Sequence, residues 1–335
     1  HLSTPIISAG MACIATPTLA AAVSNAGGMG TFSAAMVDPE SLRHLIRETR
    51  SLTKHPFGID FVTDMAQPEH ITVCVDEQVP VVIFFWSLPP QTWVTQLQAS
   101  GIKVWIQIGS VAEAKAAQAM GVDAIIAQGA EGGGHNRSEA STFNLLPAVC
   151  TTVAPIPVIA AGGIIDGKGL IASLALGAEA VWCGTRFLAS KEAYAHAEYK
   201  ARVLDAQLGD TTRTTLFGPE MPGQMMRVIR NRAVHQWGDR VAEAMDMART
   251  SPPIGSTIVA GQTVPMPPFS VILPMPDTTG DFEEMCLTAG ESSGNITAIK
   301  SVRDIIRDME TEALELLTWR LQAIAPEPTL ADPTH

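Results

Sequence analysis

Eight times before residue 185 a short apolar run is followed by a stretch with helical spacing, and that alternation limits the fold more than any other feature. The runs are residues 5–9, 29–33, 56–62, 79–85, 102–108, 122–128, 157–161 and 178–183. The stretches between them carry their own start and stop signals. Pro17 suits a first helical turn, and Gly27 and Gly28 stop that helix. Leu42, Leu45 and Ile46 share one face of the stretch 38–53. Ser110 caps the stretch 111–120, which Gly121 ends. Apolar strands alternating with helices predict a parallel sheet covered on both faces. Eight units within about 205 residues predict an α/β fold of the (β/α)8 TIM-barrel type. A doubly wound sheet is the competing architecture, disfavoured because no GxGxxG follows the first run.

After Gly209 the texture changes. Residues 209–295 are rich in Pro, Met and Gly, with a helical piece expected over 223–249. The prolines of 251–276 exclude a regular helix there. Residues 296–324 return to helical spacing through Ile299, Val302, Ile305 and Ile306. The expected organisation is a barrel over 1–217, a lid over 218–295, and a C-terminal helix in 296–335 that docks back and ends in a Pro-rich tail after Ala325.

Composition removes several functions. A net charge of −12 argues against a nucleic-acid partner, because phosphate backbones want a basic surface. No apolar run of about 18 residues is present, so no membrane span is expected. The five cysteines form no CxxC, and the histidines show no HxxxH or HExxH spacing. No disulfide framework and no metal site is therefore expected, and with no signal-peptide pattern a reducing cytoplasm fits best.

The chemistry concentrates where strands end. VDAIIAQGAEGGGH, residues 122–135, reads as a buried strand, a glycine-rich loop and then His135. Gly129, Gly132, Gly133 and Gly134 let the backbone approach a ligand closely. His135 can move a proton near neutral pH. The plainer alternative is a solvated loop with an incidental histidine, and Glu131 beside it reads as a cap. Two further glycine turns, Gly162–Gly163 and Gly184–Thr185, follow the seventh and eighth runs. Those loops often bind phosphate in such barrels, and Thr185 adds a hydroxyl. Arg186 suits either the phosphate or an ion pair on the barrel exterior. Trp86, Trp93, Trp105 and Trp182 read as core, Met225, Met226, Met245 and Met247 as packing, and His235 as surface.

With these motifs the chain resembles the nitronate monooxygenase family, formerly the 2-nitropropane dioxygenases, over residues 5–217. The marks are PIISAGM, LAAAVSNAGGMGTFSA, PFGID, AQGAEGGGH, IPVIAAGGIIDGKGL and LGAEAVWCGTRFLAS. The resemblance implies a barrel that binds FMN. Gly162, Gly163, Gly184 and Thr185 would hold the phosphate. Met11, with the backbone of Gly10 and Ala12, would lie near the ring. Asp60, Gln107 and Gln128 would contact the flavin or its ribityl chain, beside Gly133 and Gly134 of the loop. His135 would be the catalytic base, and Thr288 and Gly290 would reach back into the pocket. The implied reaction is one-electron oxidation of an alkyl nitronate, or of the parent nitroalkane after deprotonation, completed by O2 to give a carbonyl compound and nitrite. The best-described branch has Lys and Asp where Gln107 and Gln128 stand, so charge beside the flavin is lost here. Alternatives are an FMN-dependent NAD(P)H enoyl-thioester reductase, which shares the GGH loop, a non-redox isomerase or aldolase, and an idle binding protein. A homodimer is compatible with the sequence.

Overall fold

In the computed structural model, residues 2–219, 223–259 and 261–324 are described. Eight parallel strands form the central sheet: β1 (Ile6–Ser8), β2 (Gly30–Ser33), β3 (Phe57–Val62), β4 (Val81–Phe85), β5 (Lys103–Ile108), β6 (Ala124–Gln128), β7 (Val158–Ala161) and β8 (Ala180–Cys183). Their spatial order is β1-β8-β7-β6-β5-β4-β3-β2. The ring closes where Ile7 bridges Met29: Met29 N–H donates to Ile6 O and Ser8 N–H to Met29 O, each at 3.1 Å. The TIM barrel expected from the alternation is what forms.

The helices follow the strands: α1 (Pro17–Asn25), α2 (Pro39–Leu52), α3 (Pro68–Asp76), α4 (Gln91–Ala99), α5 (Val111–Ala119), α6 (Thr142–Val153), α7 (Gly167–Ala175) and the single turn α8 (Thr185–Leu188). The longer helix expected over 193–207 is α9 (Ala197–Asp205). Strand residues alternate between two cores. One set packs inside the barrel: Ile7, Met29, Val81, Ile83, Ala124, Ile126, Ile159, Ala161, Ala180 and Trp182. The other set faces the helices, with Ile6, Ile59, Phe84, Ile106, Ile125, Ala160 and Val181 among it. This is the two-residue period of a strand buried on both sides. Gly30 shows how closely the helix layer lies: a Cβ there would stand 1.8 Å from the carbonyl oxygen of Ala20 in α1.

Beyond α9 the chain covers the C-terminal ends of the strands. The expected helix over 223–249 is not one helix. It begins as strand β10 (Met226–Ile229), which pairs antiparallel with β9 (Thr211–Thr214), and only then forms α10 (Arg232–Trp237) and α11 (Val241–Ala248). Ladder partners distant in sequence override the local helical spacing. The pairing also joins the two sides of the boundary expected at residue 217. The Pro-rich stretch is irregular apart from the hairpin β11 (Gly255–Val259) and β12 (Gln262–Met266).

The last helix, α12 (Val302–Ile324), starts later than expected because Lys300 is held in a parallel bridge to Ser190. The Glu192 carboxylate accepts the Val302 N–H at 3.0 Å, which suits the positive end of a helix. α12 docks on α7: Glu312 accepts from Gly167 N–H and meets Lys168 Nζ, each at 2.8 Å. The Pro-rich tail lies outside the described residues. Among those described, no helix is long and apolar enough to cross a membrane, no disulfide is formed, and no group of side chains could hold a metal ion.

Candidate active site

Strand alternation builds the floor of the site. Gly58, Asp60 and Val62 share one face of β3, Trp105 and Gln107 one face of β5, and Ala124, Ile126 and Gln128 one face of β6. Because Trp105, Ala124 and Ile126 belong to the inner core, Gln107 and Gln128 follow them into the barrel. Gln107 Nε2 donates to Gln128 Oε1 at 3.0 Å, so a neutral hydrogen-bonded pair occupies this position. Asp60 lies against β1: a Cβ on Gly10 would be 2.4 Å from Asp60 Oδ2, so only glycine fits there. Asp60 Oδ1 is covered and has no hydrogen-bond partner. Desolvation pushes this carboxyl up to about 7. After β1, Met11 (φ 39°) and Ala12 (φ 47°) are both left-handed, a strained turn of the kind that collects at ligand sites.

The glycine loop after β6 is locked by a residue that the motif reading passed over. Asn136 is buried. Its Nδ2 donates to Gly129 O at 2.9 Å and Gly132 O at 3.0 Å, and its Oδ1 accepts from Ser138 N–H. The loop then pairs as a short strand, Gly134–His135, with β10, setting His135 opposite Met226 and Gly134 opposite Arg227. Arg227 secures the same loop by donating from Nε to Ala130 O at 3.0 Å. His135 leans toward the end of β4, where its ring meets Trp86 edge-on at 5.0 Å and Phe85 at 6.4 Å. Nε2 of His135 is covered and unpartnered, and burial lowers the imidazole to about 4. At pH 7 it is therefore neutral.

Of the two phosphate-type turns, the one after β8 lies across the mouth, four places from β4 around the ring, while the one after β7 sits beside the loop after β6, where a Cβ on Gly162 would lie 3.0 Å from Gly129 O. Gly162 (φ 96°) and Gly163 (φ 79°) adopt the left-handed region open to glycine, and Gly184 precedes α8. Thr185 Oγ1 accepts from Gly290 N–H at 2.9 Å, so the 288–291 segment reaches the mouth. A Cβ on Gly133 would lie 2.5 Å from Gly290 N, and Glu291 N–H donates to Glu131 O at 3.0 Å. The Thr288 side chain is turned to Tyr199, whose hydroxyl lies 2.9 Å from its Oγ1. The Glu131 carboxylate caps α6 by accepting from Thr142 N–H at 2.9 Å. Arg186 is buried, and its Nε is covered without a hydrogen-bond partner among the described residues. Its guanidinium donates at 2.8 Å to the carbonyls of Ala189 and Ala298, tying the barrel to the C-terminal segment.

Trp86 was expected in the core. It is buried, but at φ 88° and in contact with both His135 and the guanidinium of Arg137, which lies 5.5 Å from its ring centroid. Nothing in the sequence signals a left-handed tryptophan. The donor set as a whole fits a flavin nucleotide. Paired glycine turns with a threonine hydroxyl suit its phosphate, and two covered polar atoms, Asp60 Oδ1 and His135 Nε2, lack partners within the protein.

The family model described as nitronate monooxygenase matches residues 1–71 and 61–312. The chain belongs to the nitronate monooxygenase family. It is accordingly a flavin-dependent oxidoreductase. A probable nitronate monooxygenase of Staphylococcus aureus (strain Newman) is 35% identical over 276 residues, covering 69% of this chain and 77% of the relative. A (3aS,4S,5R,7aS)-5-hydroxy-7a-methyl-1-oxo-octahydro-1H-indene-4-carboxyl-CoA dehydrogenase of Rhodococcus jostii (strain RHA1) is 32% identical over 335 residues, 93% of each chain. Among solved structures, FabK from Thermotoga maritima is 35% identical with a TM-score of 0.79 and 96% of each chain covered.

Proposed function

We propose that this enzyme binds FMN and oxidises alkyl nitronates with O2 to carbonyl compounds and nitrite. Gly162, Gly163, Gly184 and Thr185 would hold the phosphate, with Met11, Asp60, Gln107 and Gln128 around the ring and ribityl chain. Bound flavin would supply the electron sink. The observation that carries the reading is the neutral, unpartnered Nε2 of His135 in an aromatic corner of the mouth. A neutral imidazole can donate from Nε2–H to a nitronate oxygen. In the other tautomer, with the proton on Nδ1, Nε2 can instead accept the α-proton of a neutral nitroalkane, but an imidazole held near 4 is a weak base. Preformed nitronate should therefore react faster than the nitroalkane at neutral pH.

The test begins with the visible spectrum of the purified protein and anaerobic mixing with propionate 3-nitronate, which should bleach the flavin. His135→Asn should lower turnover of the neutral nitroalkane by about 100-fold or more while largely sparing the nitronate. Equal loss on both substrates would remove the base role.

A second reading is oxidoreduction at the carbon next to an acyl thioester. Its support is the CoA dehydrogenase relative, which matches along almost the whole chain. The chemistry again couples proton transfer at a carbon acid to flavin. NADH oxidation dependent on a crotonyl thioester, with no nitrite from nitronates, would favour it.

A further inference from the structure

We propose that Trp86 is a positioning residue, its ring in contact with both the Arg137 guanidinium and the His135 imidazole so that Nε2 is held at the mouth and kept dry. The proposal rests on His135 handling the substrate's proton.

The backbone supplies the first argument. Trp86 follows β4 at φ 88°, a region costly for any residue with a Cβ, and more so for a bulky one. A left-handed step at the end of a strand breaks the in–out alternation. Phe85 shares the inward parity of Ile83, and the turn at Trp86 sends its indole toward the loop after β6. There the ring meets His135 edge-on with centroids 5.0 Å apart.

A guanidinium meets the same indole. Arg137 sits 5.5 Å from the Trp86 centroid, within cation–π range. Its position is fixed in turn: Arg137 Nε lies 3.2 Å from Glu113 Oε1, and Glu113 Oε2 accepts the Gly109 N–H at 2.7 Å. The loop after β6 and the end of β4 thus meet at the indole, and the end of β5 and the start of α5 reach it through Arg137. The charged groups on elements packed around His135 are Arg137 with Glu113, Arg227 with Glu291, and Asp60 on the barrel floor. Burial is the cause that lowers the imidazole, and Trp86 is the large ring nearest to it.

The experiment is a titration of selectively 13C-labelled histidines in the purified holoenzyme, with His135 assigned from His135→Asn, alongside the pH profile of kcat/KM. The wild-type resonance should stay at its neutral position down to about pH 5. Trp86→Gly, which also suits the left-handed backbone, should move the midpoint toward the ordinary value of about 6.5 and lower kcat/KM about tenfold. Trp86→Phe should restore most of both. Arg137→Met should give a smaller shift in the same direction and serves where Trp86→Gly folds poorly. An unmoved midpoint in Trp86→Gly, or in Arg137→Met where that is the variant read, overturns the proposal. So does a loss that is the same at every pH and is not recovered by Trp86→Phe. The titration needs no substrate. A moved midpoint without nitronate turnover would sink the function reading and leave this one standing.

Discussion

Along three barrel strands, β3, β5 and β6, the inward residues change character within one step of the pleat. Trp105 is followed two residues later by Gln107, Ile126 by Gln128, and Gly58 by Asp60. The apolar set is closed and satisfied: Ile7, Ile83, Ile126 and Ile159 are all at most 3% exposed. Above them, Asp60 Oδ1 and, on the loop, His135 Nε2 are covered without partners. An orphaned buried polar atom costs about 1–3 kcal/mol. The comparison separates two duties carried by the same strands. The apolar step holds the barrel together, and the polar step carries a Gln107–Gln128 pair and leaves Asp60 Oδ1 covered without a partner.

The difference can be broken first at the apolar step. Ile126→Ala should cost about 2–5 kcal/mol through lost burial and a residual cavity. It should appear as a lower Tm in thermal unfolding, with the flavin spectrum of the folded fraction unchanged. Loss of flavin at full stability would mean the two steps are not separable. At the polar step, Gly133→Ala forces a methyl against the Ala289–Gly290 backbone and should cost about 1–3 kcal/mol as overpacking. It should also raise KM, because the 288–291 segment is displaced from Thr185; unchanged steady-state kinetics would place that segment outside the site.

In the wild-type protein the smallest effects are in pH dependence, because here the two orphans oppose each other. Asp60 is raised, so between about 3.8 and about 7 the native chain keeps a proton the unfolded chain has lost, and stability falls as pH rises through that window. His135 is lowered, so between about 4 and about 6.5 the native chain refuses a proton the unfolded chain takes, and stability falls as pH drops. In protein stripped of ligand the two slopes should largely cancel. Asp60→Asn should make Tm rise more steeply from pH 4.5 to 6.5 than in wild type, and His135→Asn should tilt it the other way. Parallel curves for all three proteins would show that neither group is as desolvated as the geometry requires.

The barrel was legible because glycine and proline punctuate apolar runs of the right length. Asp60, Gln107 and Gln128 were legible through motif and position, and their shared inward parity follows from the period of two. The covering segment was not. The stretch 223–249 has helical spacing, yet 226–229 becomes a strand because it pairs with 211–214 just upstream and with 134–135 far away in sequence, partners its own residues do not reveal. The run TTRT at 211–214, with three β-branched residues in four, was the available signal. Arg186 was ambiguous because a charge next to a phosphate-type turn does not reveal which carbonyls lie behind it. Trp86 carried no signal, since its role depends on a backbone angle that composition does not encode.

Because Gly134–His135 is itself a rung in the sheet made by the covering segment, the imidazole cannot be inherited separately from its roof. Exchanging that roof would re-aim the His135 ring at the same time. Cover and histidine in this chain therefore travel as one inheritance, and an engineer who wants to change the first must rebuild the second.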